Sequence, residues 1–223
     1  MIKVIYEDNH LLVVEKPVNV LSQGDDTNDK DMVNLLKDYI KVKYNKPGNV
    51  FIGLVHRLDR PVGGIMVFAK TSKAASRLSE QVRNKSFKKT YRAVLNGNMR
   101  KDSDTLKDYL YKNKKTNMVS VVNKNHKDAK DAELSYETIA KNEKFSMVQV
   151  DLKTGRPHQI RVQFSSRKHP LFGDQRYGQD INKKGDQIAL WSYKIEITHP
   201  TTKEKMEFIC EPPNKYPWNL FEV

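Results

Sequence analysis

Residues 55–70 read VHRLDRPVGGIMVFAK, an arginine-flanked carboxylate, Asp59, set just before a glycine pair and an apolar run. The run IMVFA (65–69) has the composition of a strand buried on both faces, and NVFIGLVHRLD before it starts as an apolar extended segment. Arg60-Pro61-Val62-Gly63-Gly64 reads as the loop between them. An Asp between two Arg is either a structural ion pair or a carboxylate kept ionised and oriented at a strand end, where it serves a nucleophile or a base equally well.

Working outward, VIYEDNHLLVVEKP reads as two strands around a turn at Asp8-Asn9, closed by Pro17. Asn28 or Asp29 then caps a helix over about 30–43, with Met32, Leu35, Leu36, Tyr39 and Ile40 on one face. Thr71 or Ser72 caps a second helix over 72–84, and KKTYRAVLNG (88–97) is the next strand. Residues 98–131, dense in Lys, Asn and Asp, read as exposed hairpin strands and loops, either a variable insertion or a lobe that lies against a substrate. ELSYETIA, FSMVQVDL, IALWSYKIEITH and KEKMEFICE alternate as antiparallel strands do. In TGRPHQIR (154–161) a strand ends at Thr154-Gly155 and Pro157 opens a short helix, with His158 and Arg161 three apart on one face. The fold class expected is α+β, a mixed and mostly antiparallel sheet with a few flanking helices. It forms a single domain over 1–223, with the polar hairpin lobe at about 98–131.

Forty Lys and Arg against 27 Asp and Glu give a net charge of +13, which favours a polyanionic partner over a merely solvated surface only if a site accompanies it. One cysteine, Cys210, excludes a disulfide framework and a thiolate-rich zinc site. Asp59 has no neighbouring carboxylates in sequence of the kind a metal-dependent nuclease needs. The glycine pair fits neither GxGxxG nor GxxxxGK, so no nucleotide cradle is expected, and the cofactor and metal expectation is none. No apolar run is long enough for a membrane span, which makes a cytoplasmic protein with no membrane partner the expectation.

Taken together, HRLDR, KTYRAVLNG, TGRPHQIRVQF and HPLFGDQRYG (169–178), with YEDNHLLVVEKP near the start, resemble the RluA-type pseudouridine synthases. The likeness runs from about residue 2 to 218 and is to a stand-alone catalytic domain, without the small S4-like domain that precedes it in many relatives. The resemblance implies isomerisation of uridine to pseudouridine in rRNA or tRNA; a monomer is the default expectation, and no DNA partner is expected. Asp59 stands where that family carries its essential aspartate, which either attacks C1′ of the ribose or removes a C2′ proton. Arg161 stands at the arginine paired with it, and Tyr91 at the tyrosine that packs on the target base. Arg57 matches an arginine that fills the space of the extruded nucleotide. Arg60, Arg156, His158, Lys88 and Lys89 complete the expected RNA-binding set. Val62-Gly63 replaces the usual Thr-Ser, and Asn19 replaces the glycine of KPxG, a change that a left-handed backbone tolerates. The Thr-Ser departure motivates an alternative, a non-catalytic RNA-binding protein on the same scaffold.

Overall fold

The structure is a computed structural model that describes residues 2–27 and 29–221. In chain order the elements are β1 (Lys3–Glu7), β2 (Leu11–Lys16), α1 (Met32–Lys43), β3 (Gly53–Leu54), β4 (Gly63–Ala69), α2 (Ser72–Arg83) and β5 (Lys88–Asn96). They continue with β6 (Ser103–Lys112), β7 (Val119–Val122), β8 (Lys130–Lys141), β9 (Phe145–Leu152), α3 (Gln159–Ser165), β10 (Leu190–Thr198) and β11 (Lys205–Ile209). Every strand pair whose register is described is antiparallel, so the α+β expectation holds. The chain divides into two compact units, one up to Lys89 together with Ser192–Glu211, the other Thr90–Trp191 together with the described residues from Pro212.

The first unit is built on β2 and β4, paired from Leu11↔Ala69 to Lys16↔Gly64. Leu11–Val14 and Ile65–Ala69 are wholly buried, because these strands present apolar side chains on both faces to other layers. β1 extends the sheet beyond β2, while β10 lies on the other side of β4 and carries β11. The turn between β1 and β2 is closed by Asp8, whose Oδ1 accepts the N–H of His10 and Leu11, each at 2.6 Å. α1 buries Met32, Leu36 and Ile40 and α2 buries Ala74 and Leu78, the spacing expected of amphipathic helices.

Two boundaries differ from expectation. α1 starts at Met32 and is capped by Asp31, whose Oδ1 accepts from Asn34 N–H at 3.1 Å. Asp29 is instead paired with Arg60 at 2.8 Å, and Asn28 lies outside the described residues. β4 begins at Gly63, so the glycine pair opens the strand rather than closing a loop. Gly64 has φ +113, and a Cβ there would stand 2.3 Å from the Ser192 carbonyl oxygen, so the close approach of β10 requires glycine. Asn19 has φ +64, the left-handed backbone expected of it.

In the second unit the strand order is β5-β9-β8-β6-β7. Residues 98–131 supply β6 and β7, joined by a tight hairpin in which Asn113 N–H donates to the Met118 carbonyl. Leu110, Val119 and Ala132, one from each of β6, β7 and β8, pack with Val162 of α3 against Tyr177. α3 begins at Gln159, two residues after Pro157, because His158 takes a left-handed conformation (φ 52) as its N-cap. His158 therefore stands before the helix and shares no helical face with Arg161.

Candidate active site

Asp59 occupies the extended segment between β3 and β4 in the first unit and is half-buried. Its backbone surroundings are fixed at three successive residues. The Ser22 hydroxyl brackets Leu58, donating to its carbonyl at 2.8 Å and accepting from its N–H at 3.0 Å. The Asp59 carbonyl accepts from Val62 N–H at 2.9 Å, closing a turn. The Arg60 carbonyl accepts from Lys16 Nζ at 3.1 Å.

Lys16 is wholly buried at the end of β2, and its ammonium also donates to the Pro17 carbonyl at 2.9 Å. Burial depresses its pKa to about 7; the negative charge of Asp59 works against that depression, and the positive charge of Arg60 adds to it. Upstream, His56 Nε2 accepts from Val67 N–H at 3.0 Å, so the imidazole side chain anchors the HRLD segment to β4. Burial, assisted by the charge of Lys89, pushes its pKa down to about 3, which keeps the ring neutral. With Nε2 accepting, the proton sits on Nδ1, which is buried without a hydrogen-bond partner among the described residues.

In the second unit, Arg161 projects from the first turn of α3 and is nearly fully buried. Asp174 grips it with two parallel bonds, Nε to Oδ2 at 2.8 Å and Nη2 to Oδ1 at 2.7 Å. Burial raises the Asp174 pKa, but the Arg161 bond and charge and the N–H groups of Arg176 and Tyr177 outweigh it and hold the carboxyl below its usual range. The guanidinium lies 5.2 Å from the Tyr177 ring centroid. The Tyr177 hydroxyl in turn accepts from Val119 N–H at 3.0 Å and meets His158 Nδ1 at 2.7 Å. His158 and Arg161 thus converge on one tyrosine. Gln159 braces the start of the helix, accepting from the Thr154 hydroxyl and Arg156 N–H and donating to the Glu133 carbonyl.

The remaining expected site residues fall as follows. Tyr91 is buried in β5, opposite Val150 of β9. Arg57 is exposed. Arg60 pairs with Asp29, and Lys88 pairs with Glu196 at 3.2 Å. Burial lowers the pKa of Lys89. Arg156 is held by Asp131 through its side chain and its carbonyl, both at 2.7 Å. Sequence reasoning gave no role in the site to Lys16, Ser22, His56, Asp174 or Tyr177. A lysine ending a strand that opens on four apolar residues was the one local signal, since burial there demands nearby acceptors.

The α+β fold is that of pseudouridylate synthase domains. The human RNA pseudouridylate synthase domain-containing protein 4 superposes with a TM-score of 0.81 at 19% identity, covering 98% of this chain and 91% of that one. Human domain-containing protein 1 gives 0.76 at 22%, covering 97% and 85%. In sequence, the uncharacterized RNA pseudouridine synthase YhcT of Bacillus subtilis is 32% identical over 94% of this chain and 68% of its own length. Ribosomal large subunit pseudouridine synthase C of Buchnera aphidicola is 32% identical over 92% and 65%, and synthase D of Borreliella burgdorferi 31% over 96% and 66%. The chain spans about two thirds of the length of these relatives. Residues 10–166 match the family described as RNA pseudouridylate synthase, and the chain belongs to that family.

Proposed function

We propose that the chain converts uridines of large-subunit ribosomal RNA to pseudouridine, with Asp59 as the carboxylate on which turnover depends. The ribosomal substrate is suggested by relatives named as large-subunit synthases. The observation that carries the role of Asp59 is the fixing of the backbone at Leu58, Asp59 and Arg60 by Ser22, Val62 and Lys16. Such restraint holds a reacting group within the small displacement that catalysis tolerates.

The reaction balances without a redox partner or a phosphate donor. The C1′–N1 bond breaks, a C1′–C5 bond forms, the C5 proton leaves and N1 gains one. Asp59 acts either on C1′ or on the C2′ proton. Arg161, held in shape by Asp174, is the guanidinium assigned to the reacting carboxylate, and Tyr91 the ring assigned to the base. Extracting the base from its stack costs a few kcal/mol, offset by phosphate contacts that the net positive charge favours.

The test is to incubate the protein with total RNA from a strain lacking its gene and to map pseudouridine by chemical adduct and sequencing. Wild type is expected to add discrete sites in large-subunit rRNA and Asp59→Asn none. No new site with wild type overturns the reading. The same site with Asp59→Asn removes the carboxylate from its role, and sites confined to tRNA displace the ribosomal substrate.

A further inference from the structure

Away from Arg161, the second unit carries a cavity of about 520 Å³ where the chain leaves α3 and β6 begins. Arg100, Lys101, Arg167 and Lys168 line it, with His169 and a single acid, Asp104. Its walls are held in place. Arg167 Nη1 donates to Asp108 Oδ2 and to the Gln163 carbonyl, both at 2.9 Å, so the guanidinium cannot swing away. The buried Gln163 amide donates to the same Asp108 oxygen at 2.7 Å and fixes it in turn. Lys168 adopts φ +65, which reverses the chain directly after the helix. His169 Nδ1 lies 3.1 Å from the Asn96 carbonyl, and a Cβ at Gly97 (φ +78) would stand 3.2 Å from that same nitrogen. Tyr136 lines the cavity, its hydroxyl already donating to the Lys101 carbonyl.

Charge pairing leaves a surplus. Lys101 is taken by Asp104 at 3.0 Å and Arg167 by Asp108. Arg100 and Lys168 have no carboxylate within ion-pair distance among the described residues, although both are exposed and line the same cavity. Two cations without counter-charges beside two that are already oriented make an anion site with more than one contact point.

We propose that this cavity is an accessory RNA site that grips the phosphodiester backbone through Arg100 and Lys168, with Arg167 as the fixed third donor. The proposal rests on the reading of the chain as an RNA-modifying enzyme, and it assigns the cavity to affinity and not to chemistry. Phosphate contacts of this kind position the nucleic acid without reading its sequence. Each contact releases condensed counterion, so the site writes itself into the salt dependence of binding.

The test replaces both residues without disturbing the fold, as Arg100→Gln with Lys168→Asn, since asparagine keeps a left-handed backbone. RNA binding by the full chain is measured by filter retention from 0.05 to 0.5 M salt, using the transcript modified by wild type or, if none is, a large-subunit rRNA fragment. Losing two contacts should lower the slope of log K against log salt by about 1.4 on single strands or about 1.8 on duplex, which is roughly 25- to 60-fold in affinity at ~0.1 M salt. Turnover at saturating RNA should be unchanged while KM rises. An unchanged slope overturns the proposal, as does a fall in kcat with KM constant. If wild type forms no pseudouridine yet the slope still drops in the double variant, the RNA site stands and the enzymatic reading falls.

Discussion

Lys16→Met separates two consequences of one buried ammonium. Depression of the Lys16 pKa from 10.5 to about 7 means that the folded protein gives up this proton well before the unfolded chain does. Between these values the unfolded state binds more protons, so stability rises with pH; below about 7 both states are protonated and the penalty of burial is fully present. At about 1.4 kcal/mol per pH unit, wild type should gain up to about 3.5 kcal/mol from this group between roughly pH 7 and pH 10. Methionine removes that penalty but leaves the Pro17 and Arg60 carbonyls without their donor, at about 1–3 kcal/mol each. The substitution should therefore be close to neutral near pH 7 and clearly destabilising near pH 10.

Urea midpoints of both proteins at intervals across that range measure the difference, and subtraction cancels other titrating groups such as Lys89. Parallel curves would show that the Lys16 ammonium is not desolvated, and the argument would be wrong. A neutral amine still has two N–H bonds, enough for both carbonyls, so the clamp outlasts the charge. Loss of the clamp in Lys16→Met should instead lower kcat roughly tenfold to a hundredfold with little change in KM, since it frees the carbonyl next to Asp59. An unaltered kcat would remove Lys16 from the positioning of the loop.

Asp174→Asn keeps the side-chain shape but removes the Asp174 charge from the buried Arg161 guanidinium, and is expected to cost about 3–5 kcal/mol in urea unfolding together with most of the turnover. A loss below about 1 kcal/mol would mean that another acceptor already carries the charge. Gly64→Ala forces a Cβ toward the Ser192 backbone at φ +113 and should lower thermal stability sharply, whereas Gly48→Ala, with open space around it, should not.

What was legible in the sequence was what depends on near neighbours. The apolar runs of β2 and β4 and the stripes of α1 and α2 follow from periodicity, because burial of a strand or helix face is written at spacings of two to four residues. The α1 cap was misplaced by two or three residues because Asp29 and Asp31 are equally good acceptors on paper, and only the approach of Arg60 to Asp29 separates them. The groups that hold the candidate site were hidden for the same reason on a larger scale. Ser22 reaches Leu58 across 36 residues and Lys16 reaches Arg60 across 44, and neither partner is a charged side chain that pattern could pair. Both bind main-chain atoms, which every residue has, so the sequence of the partner says nothing about the contact.

That choice of partner explains how the loop tolerates Val62-Gly63 where hydroxyl side chains were expected. Main-chain anchoring at Leu58 and Arg60 is independent of what residues 62 and 63 carry, while Gly64 meets the demand imposed by Ser192. The loop's geometry is thus set by a serine and a lysine brought from β2 and the segment after it, and by a histidine side chain standing on β4. A protein arranged in this way can exchange the residues following its carboxylate without moving the carboxylate. The price is a buried lysine whose charge the fold must carry below about pH 7.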